Sequence, residues 1–238
     1  MVMAGELLIA RDLVSGYDKV QALWGASLTV RAGESVVLLG VNGAGKTTLL
    51  KVLLGLLPAW GGGVAFDGAD ITRLRTDRRV RQGLAYMSEL GVFPGLSIAE
   101  NLRIGGQFAE PKALKQRIEE LYAIFPDLAA RRGTLAGSLS GGQRKMCGIA
   151  KALAGSPRLL VMDEPSAGLS PLFVGEVIRI LDQFRGQGLS LLIAEQNVGF
   201  LDLADRVFTL ERGRTGFEGS VAELQADDGV RKAYFGLE

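Results

Sequence analysis

Phosphate chemistry is written into three short stretches of this chain. GVNGAGKT at residues 40–47 fits the pattern G-x-x-x-x-G-K-[ST]. From Gly40 through Asn42, Gly43, Ala44 and Gly45, small residues let successive backbone N–H groups turn inward around a phosphate. A helix opening at Lys46, Thr47 and Thr48 adds its positive end. Lys46 would reach the outer phosphates and Thr47 would ligate Mg²⁺. RLLVMDE, residues 158–164, is an apolar run ending in two carboxylates. Asp163 suits the Mg²⁺ shell, and Glu164 could orient the attacking water. The third stretch, SLSGGQRK at 138–145, combines Ser140 and Gln143 as a helix-capping box with Gly141 and Gly142. Those glycines leave a helix N-terminus bare, a second anion-binding surface. A chain with two such helix ends far apart in sequence suggests that one serves a neighbour's nucleotide.

A fourth stretch, LLIAEQNV at 191–198, runs apolar and then turns polar at Glu195, Gln196 and Asn197. The chain has no histidine. Gln196 can donate to a phosphate oxygen but cannot carry a proton charge.

These residues need a sheet to gather them. SVVLLG, RLLVM, SLLIA and RVFTLERG read as strands, and short unbroken apolar runs suit strands buried on both faces. LLIARDLVSGY and VQALWGASLTV are longer strands, and GGGVAFDGADIT reads as a turn and hairpin. A helix is expected from about Lys46 to Leu56, and another around Leu172 to Phe184. From Ser97 to Ala154 the pattern is helical. Leu114, Ile118, Leu121 and Phe125 fall on one face, with Pro111 at the entry. This block reads as an insertion between two halves of a sheet. SVAELQADDGVRKAYFGL closes the chain as a helical tail.

The 238 residues are 47% hydrophobic, enough for one large α/β domain with a satellite lobe. A net charge of +1 gives no global pull toward nucleic acid. Cys147, the only cysteine, suits a reducing compartment and reads as a packing residue. The start lacks the basic segment of a signal peptide, and no run of about 18 apolar residues is present to span a membrane. Arg73, Arg75, Arg78, Arg79 and Arg81 read as a solvated helix face.

Together, residues 40–47, LSGGQ at 139–143 and DEPS at 163–166 resemble the ATP-binding subunit of an ABC transporter, over essentially the whole chain. That resemblance implies an α/β P-loop NTPase cassette with a RecA-like core, an antiparallel β subdomain and an inserted helical subdomain. Residues 1–238 would form a single ATP-binding domain. Its core and β subdomain would cover 1–96 and 155–238, and its helical signature subdomain 97–154. The resemblance further implies ATP and Mg²⁺ as cofactors and a head-to-tail pair of cassettes. Each ATP would lie between one subunit's phosphate loop and the other's Ser140, Gly141, Gly142 and Gln143. Tyr17 would stack on adenine, Glu164, Lys46 and Gln196 would act in hydrolysis, and Asp163 and Thr47 would hold the metal. Two membrane permease subunits would be partners, with the loop around Phe93, Pro94 and Leu96 and the helical lobe docking them. The chain would sit in the cytoplasm, on the inner face of the cell membrane.

Two positions depart from the usual pattern. Gln196 stands where most cassettes place a histidine, and Glu89, in LAYMSELGVFPGL, stands where most place a sensor glutamine. A carboxylate at 89 could still meet Mg²⁺ or water. Glu89, the E-Q-N run, FPGLSIAENL and the ending VRKAYFGL resemble one of the two cassettes of branched-chain amino-acid importers, which also use an extracytoplasmic binding protein. Ser88 and Leu90-Gly91 differ from that branch. Other cargoes (urea, amides, a lipid), a soluble ABC ATPase acting on nucleic acid or ribosomes, and a non-hydrolysing regulatory module are the rival readings. Against the soluble ATPase, the chain carries neither a second cassette nor a long coiled-coil insertion. Lys46, Thr47, Asp163 and Glu164 speak against the regulatory module.

Overall fold

The computed structural model describes residues 5–227. Two long strands, β1 (Glu6–Tyr17) and β2 (Val20–Arg31), form an antiparallel hairpin. β4 (Gly61–Phe66) and β5 (Ala69–Asp70) extend it into a sheet of order β2-β1-β4-β5. The central sheet is built from β3 (Ser35–Leu39), β6 (Leu84–Met87), β7 (Leu159–Asp163), β8 (Ser190–Glu195), β9 (Arg206–Glu211) and β10 (Arg214–Gly219). Its order is β10-β9-β3-β8-β7-β6, parallel from β9 to β6, with β10 an antiparallel edge.

Every residue of β3, β7 and β8 is buried, which explains their unbroken apolar runs. Alternation along each strand feeds two cores. Val37, Leu39, Met162 and Ile193 face the helices, whereas Val36, Leu38, Val161 and Leu192 face the four-stranded sheet and α1 (Lys46–Leu53). After α2 (Thr76–Arg81) and β6, the helices α3 (Ile98–Gly105), α4 (Pro111–Ile124), α5 (Pro126–Ala130) and α6 (Gly141–Leu153) make the crossover to β7. On α4 the expected face is observed: Leu121 and the following Phe125 are buried, with Leu114 and Ile118 packed against them. α7 (Pro171–Arg185) links β7 to β8, and α8 (Val221–Ala226) follows β10. The remainder of the expected tail, including VRKAYFGL, lies outside the described residues.

Two expectations are corrected. α1 ends at Leu53, not near Leu56. The chain wraps there: Leu56 N–H donates to Lys51 O, and Gly55 adopts φ +72°. The arginine run is also not wholly solvated, because Arg79 is only 2% exposed. Its guanidinium donates to Val52 O, Leu53 O, Leu74 O and Thr72 O at 2.6–2.9 Å. It thereby satisfies carbonyls at the C-terminus of α1, where a cation is favoured. Arg73, Arg75, Arg78 and Arg81 are exposed as expected. Cys147 is fully buried on α6.

Candidate functional site

Parallel register gathers the chemistry at one sheet edge. Leu39 pairs with Glu195, and Asp163 with Ala194, so β3, β8 and β7 end side by side. Gly40, Glu164 and Gln196 therefore emerge together, where open α/β sheets bind ligands. Gly45 caps α1 at φ +106°, and Gly43 has φ +80°, conformations that favour glycine. The loop rests on the β9–β10 turn: Gly213 N–H donates to Ala44 O, and Gly213 O accepts from Trp24 N–H. That support was not read from sequence, because Gly213 is a turn glycine like many others.

Lys46 is buried, and its Nζ donates to Gly40 O at 2.6 Å and Val41 O at 3.3 Å. The same nitrogen lies 3.2 Å from Glu164 Oε1. Thr47 Oγ1 donates to Asp163 Oδ1 at 3.1 Å, and the Tyr86 hydroxyl to Asp163 Oδ2 at 3.2 Å. Burial raises the Asp163 pKa, aided by Glu164 and opposed by the Thr47 and Tyr86 hydrogen bonds and the Lys46 charge. Burial, with the Asp163 charge, also pushes the Tyr86 phenol upward. Tyr86 is a further site residue, hidden in sequence as an ordinary strand aromatic. A hydroxyl and a carboxylate side by side are the hard oxygen donors that Mg²⁺ takes. Among the described residues no cluster of three metal-binding side chains exists. Mg²⁺ usually binds through one or two protein ligands plus phosphates and water, so this donor set suits it.

Glu164 adopts φ +48°, unusual for a residue with a Cβ, and its N–H donates to Ala194 O. Glu195, at 1% exposure, is a clamp that sequence reasoning noted only as a strand end. Its carboxylate accepts from Ser166 N–H (2.7 Å), the Ser166 hydroxyl (2.9 Å), Gln196 N–H (3.0 Å) and Asn197 N–H (3.2 Å). Gln196 itself is exposed at the sheet edge.

Ser140 caps α6 in the expected box: its Oγ accepts from Gln143 N–H, and Gln143 Oε1 from Ser140 N–H. Ser140 and Gly141 are exposed. Gly142 is buried, and a Cβ there would meet the Phe173 ring at 2.8 Å. This glycine thus also serves packing against α7. Glu89 lies exposed in the loop after β6. Tyr17 closes β1, exposed, with Lys51 of α1 5.5 Å from its ring centre and hydrogen-bonded to its hydroxyl.

A phosphate loop faced by two strand-end carboxylates defines a P-loop nucleotide hydrolase. The profile of the ABC transporter family matches residues 23–167. The high-affinity branched-chain amino acid transport ATP-binding protein BraG of Pseudomonas aeruginosa is 38% identical over 232 residues, covering 96% of this chain and 100% of BraG. The lipopolysaccharide export system ATP-binding protein LptB of Escherichia coli strain K12 is 34% identical, covering 96% of this chain and 97% of LptB. The ADP conformation of an ATP-binding cassette of an ABC transporter superposes with a TM-score of 0.84 at 26% identity, covering 98% and 99% of the two chains. The chain belongs to the ABC transporter family, as an ATP-binding subunit that hydrolyses ATP.

Proposed function

We propose that this subunit powers a membrane importer of branched-chain amino acids as one half of a head-to-tail pair of cassettes. The observation that carries the pair is the division of the site. The 40–47 loop, Asp163 and Glu164 share one sheet edge, while Ser140 and Gly141 open α6 exposed, with the Ser140 cap hydrogen-bonded within its own helix start. In the pair, that cap completes the γ-phosphate site of the companion subunit.

The triphosphate enters with its outer oxygens on Lys46 and the loop N–H groups. Lys46 then exchanges Glu164 for phosphate, which leaves the carboxylate to hold the attacking water. Thr47 and Asp163 would hold Mg²⁺, which neutralises charge on the phosphates when bound. Gln196 donates to the γ-phosphate as a neutral group, Glu89 would meet Mg²⁺ or water, and Tyr17 stacks on adenine. Closing and opening of the pair is passed to two permease subunits through the 88–96 loop and the helical lobe. An extracytoplasmic binding protein delivers cargo. No helix among the described residues is long and apolar enough to cross a membrane. The likeness to BraG, an ATP-binding protein of a transport system, supports a peripheral place on the cytoplasmic face. This reading assigns 1–96 and 155–238 to a core unit and 97–154 to a signature unit, of which the structure describes 5–227.

The branched-chain reading is supported by the likeness to BraG and by the Glu89 and E-Q-N sequence features. A lipid cargo is the second reading, favoured by the likeness to LptB. Co-purification of the membrane partners, followed by reconstituted uptake of leucine, isoleucine or valine, separates them. In the same complex, Glu164→Gln should nearly abolish phosphate release while ATP-dependent pairing persists. Unchanged phosphate release would remove Glu164 from the mechanism.

A further inference from the structure

We infer that Lys145 is a positioning residue that ties this chain's hydrolytic carboxylate to the helix end serving the companion subunit's nucleotide. Lys145 lies one turn into α6, whose cap is formed by Ser140. It is only 7% exposed. Its Nζ donates to Glu164 O at 2.9 Å and to Glu89 O at 2.9 Å. One ammonium group therefore bridges three segments: α6, the residue after β7, and the loop after β6.

The chemistry of the position singles it out. Its buried neighbours Met146, Cys147, Ile149 and Ala150 already pack α6 against the core. An apolar side chain would fill the space without desolvating a cation. A lysine instead adds donors aimed at two backbone oxygens. Glu89, Glu164, Glu195 and Asp163 are the charged groups it faces. Glu164 gains most, because its left-handed backbone is held from two sides: its N–H by Ala194 O and its carbonyl by Lys145. A shift of α6 toward a nucleotide at its cap would carry Lys145 along. Glu164 and the 89 loop would move with it, so each site would sense whether the other is filled. This inference rests on the head-to-tail pair proposed above.

The test compares the wild-type complex, with its membrane partners, against Lys145→Met and Lys145→Gln. Lys145→Met should lower kcat about tenfold, with the ATP KM and the isolated subunit's affinity for ATP changed less than about twofold. Its Hill coefficient for ATP should fall to about 1. Lys145→Gln keeps two N–H donors and should restore kcat to within about threefold of wild type. Lys145→Ala replaces the Met variant should that not fold, with the same expectations. A kcat unchanged by removal of the amine would overturn the inference, as would a parallel fall in kcat and ATP affinity. A glutamine variant no faster than the methionine one would also overturn it. A wild-type complex without ATPase activity would instead contradict the proposed function itself.

Discussion

Glu195 holds Ser166 through both of its carboxylate oxygens, at 2.7 Å to the backbone N–H and 2.9 Å to the hydroxyl. This clamp joins the segment after the Asp163–Glu164 pair to the end of β8. Glu195→Ala leaves four donors, the Ser166 N–H and hydroxyl and the N–H groups of Gln196 and Asn197, to find other acceptors. The loss should reach about 3 kcal/mol of folding stability, read from denaturant midpoints. ATP turnover should fall further than nucleotide affinity, because Glu164 and Gln196 both flank the clamp.

Gln196→Ala should slow hydrolysis and leave ATP affinity within about threefold of wild type, since the proposed donation from Gln196 to the γ-phosphate would matter most as charge develops there. A pH–rate profile adds a second check. Position 196 does not titrate, so the Ala variant should keep any near-neutral pKa that the wild type shows. An alanine variant with the wild-type rate would return Gln196 to a strand-end residue.

Arg79→Met should destabilise the fold by about 3 kcal/mol in urea unfolding, because it strands several carbonyls around the end of α1. The phosphate loop sits at the opposite end of that helix. ATP affinity of the folded fraction should therefore be little changed.

Burial pushes the Cys147 thiol up to about 11, against an ordinary value of 9.0. The folded chain keeps this proton where the unfolded chain has lost it, so stability falls as pH rises from the unfolded value through the folded one. Wild type should accordingly lose stability relative to Cys147→Ala across that alkaline window in urea titrations. At pH about 8, maleimide should label Cys147 only after unfolding, since the thiolate and access are both missing in the native state.

Much of this fold is local and was legible. Fully apolar runs marked β3, β7 and β8, and the Ser140–Gln143 spacing marked the start of α6 with its cap. The 40–47 loop and the Asp163–Glu164 pair stand out in sequence by residue type at fixed spacing, and the structure brings them together at one sheet edge. What stayed hidden depends on approach between distant segments. Arg79 looked like its solvated neighbours until α1 was placed beside it. Tyr86 gave no sign of reaching Asp163, nor Lys145 of reaching Glu164 and Glu89. Gly142, read as a bare anion-binding position, also owes its type to the Phe173 ring.

The proposed shared site is tested most directly by a structure of the assembled complex carrying Glu164→Gln, with ATP and Mg²⁺ bound. The expected result is a triphosphate held by Lys46 and Thr47 of one subunit and touched by the signature helix cap of its companion. A nucleotide enclosed by one subunit alone, with no companion cap against its γ-phosphate, would contradict it.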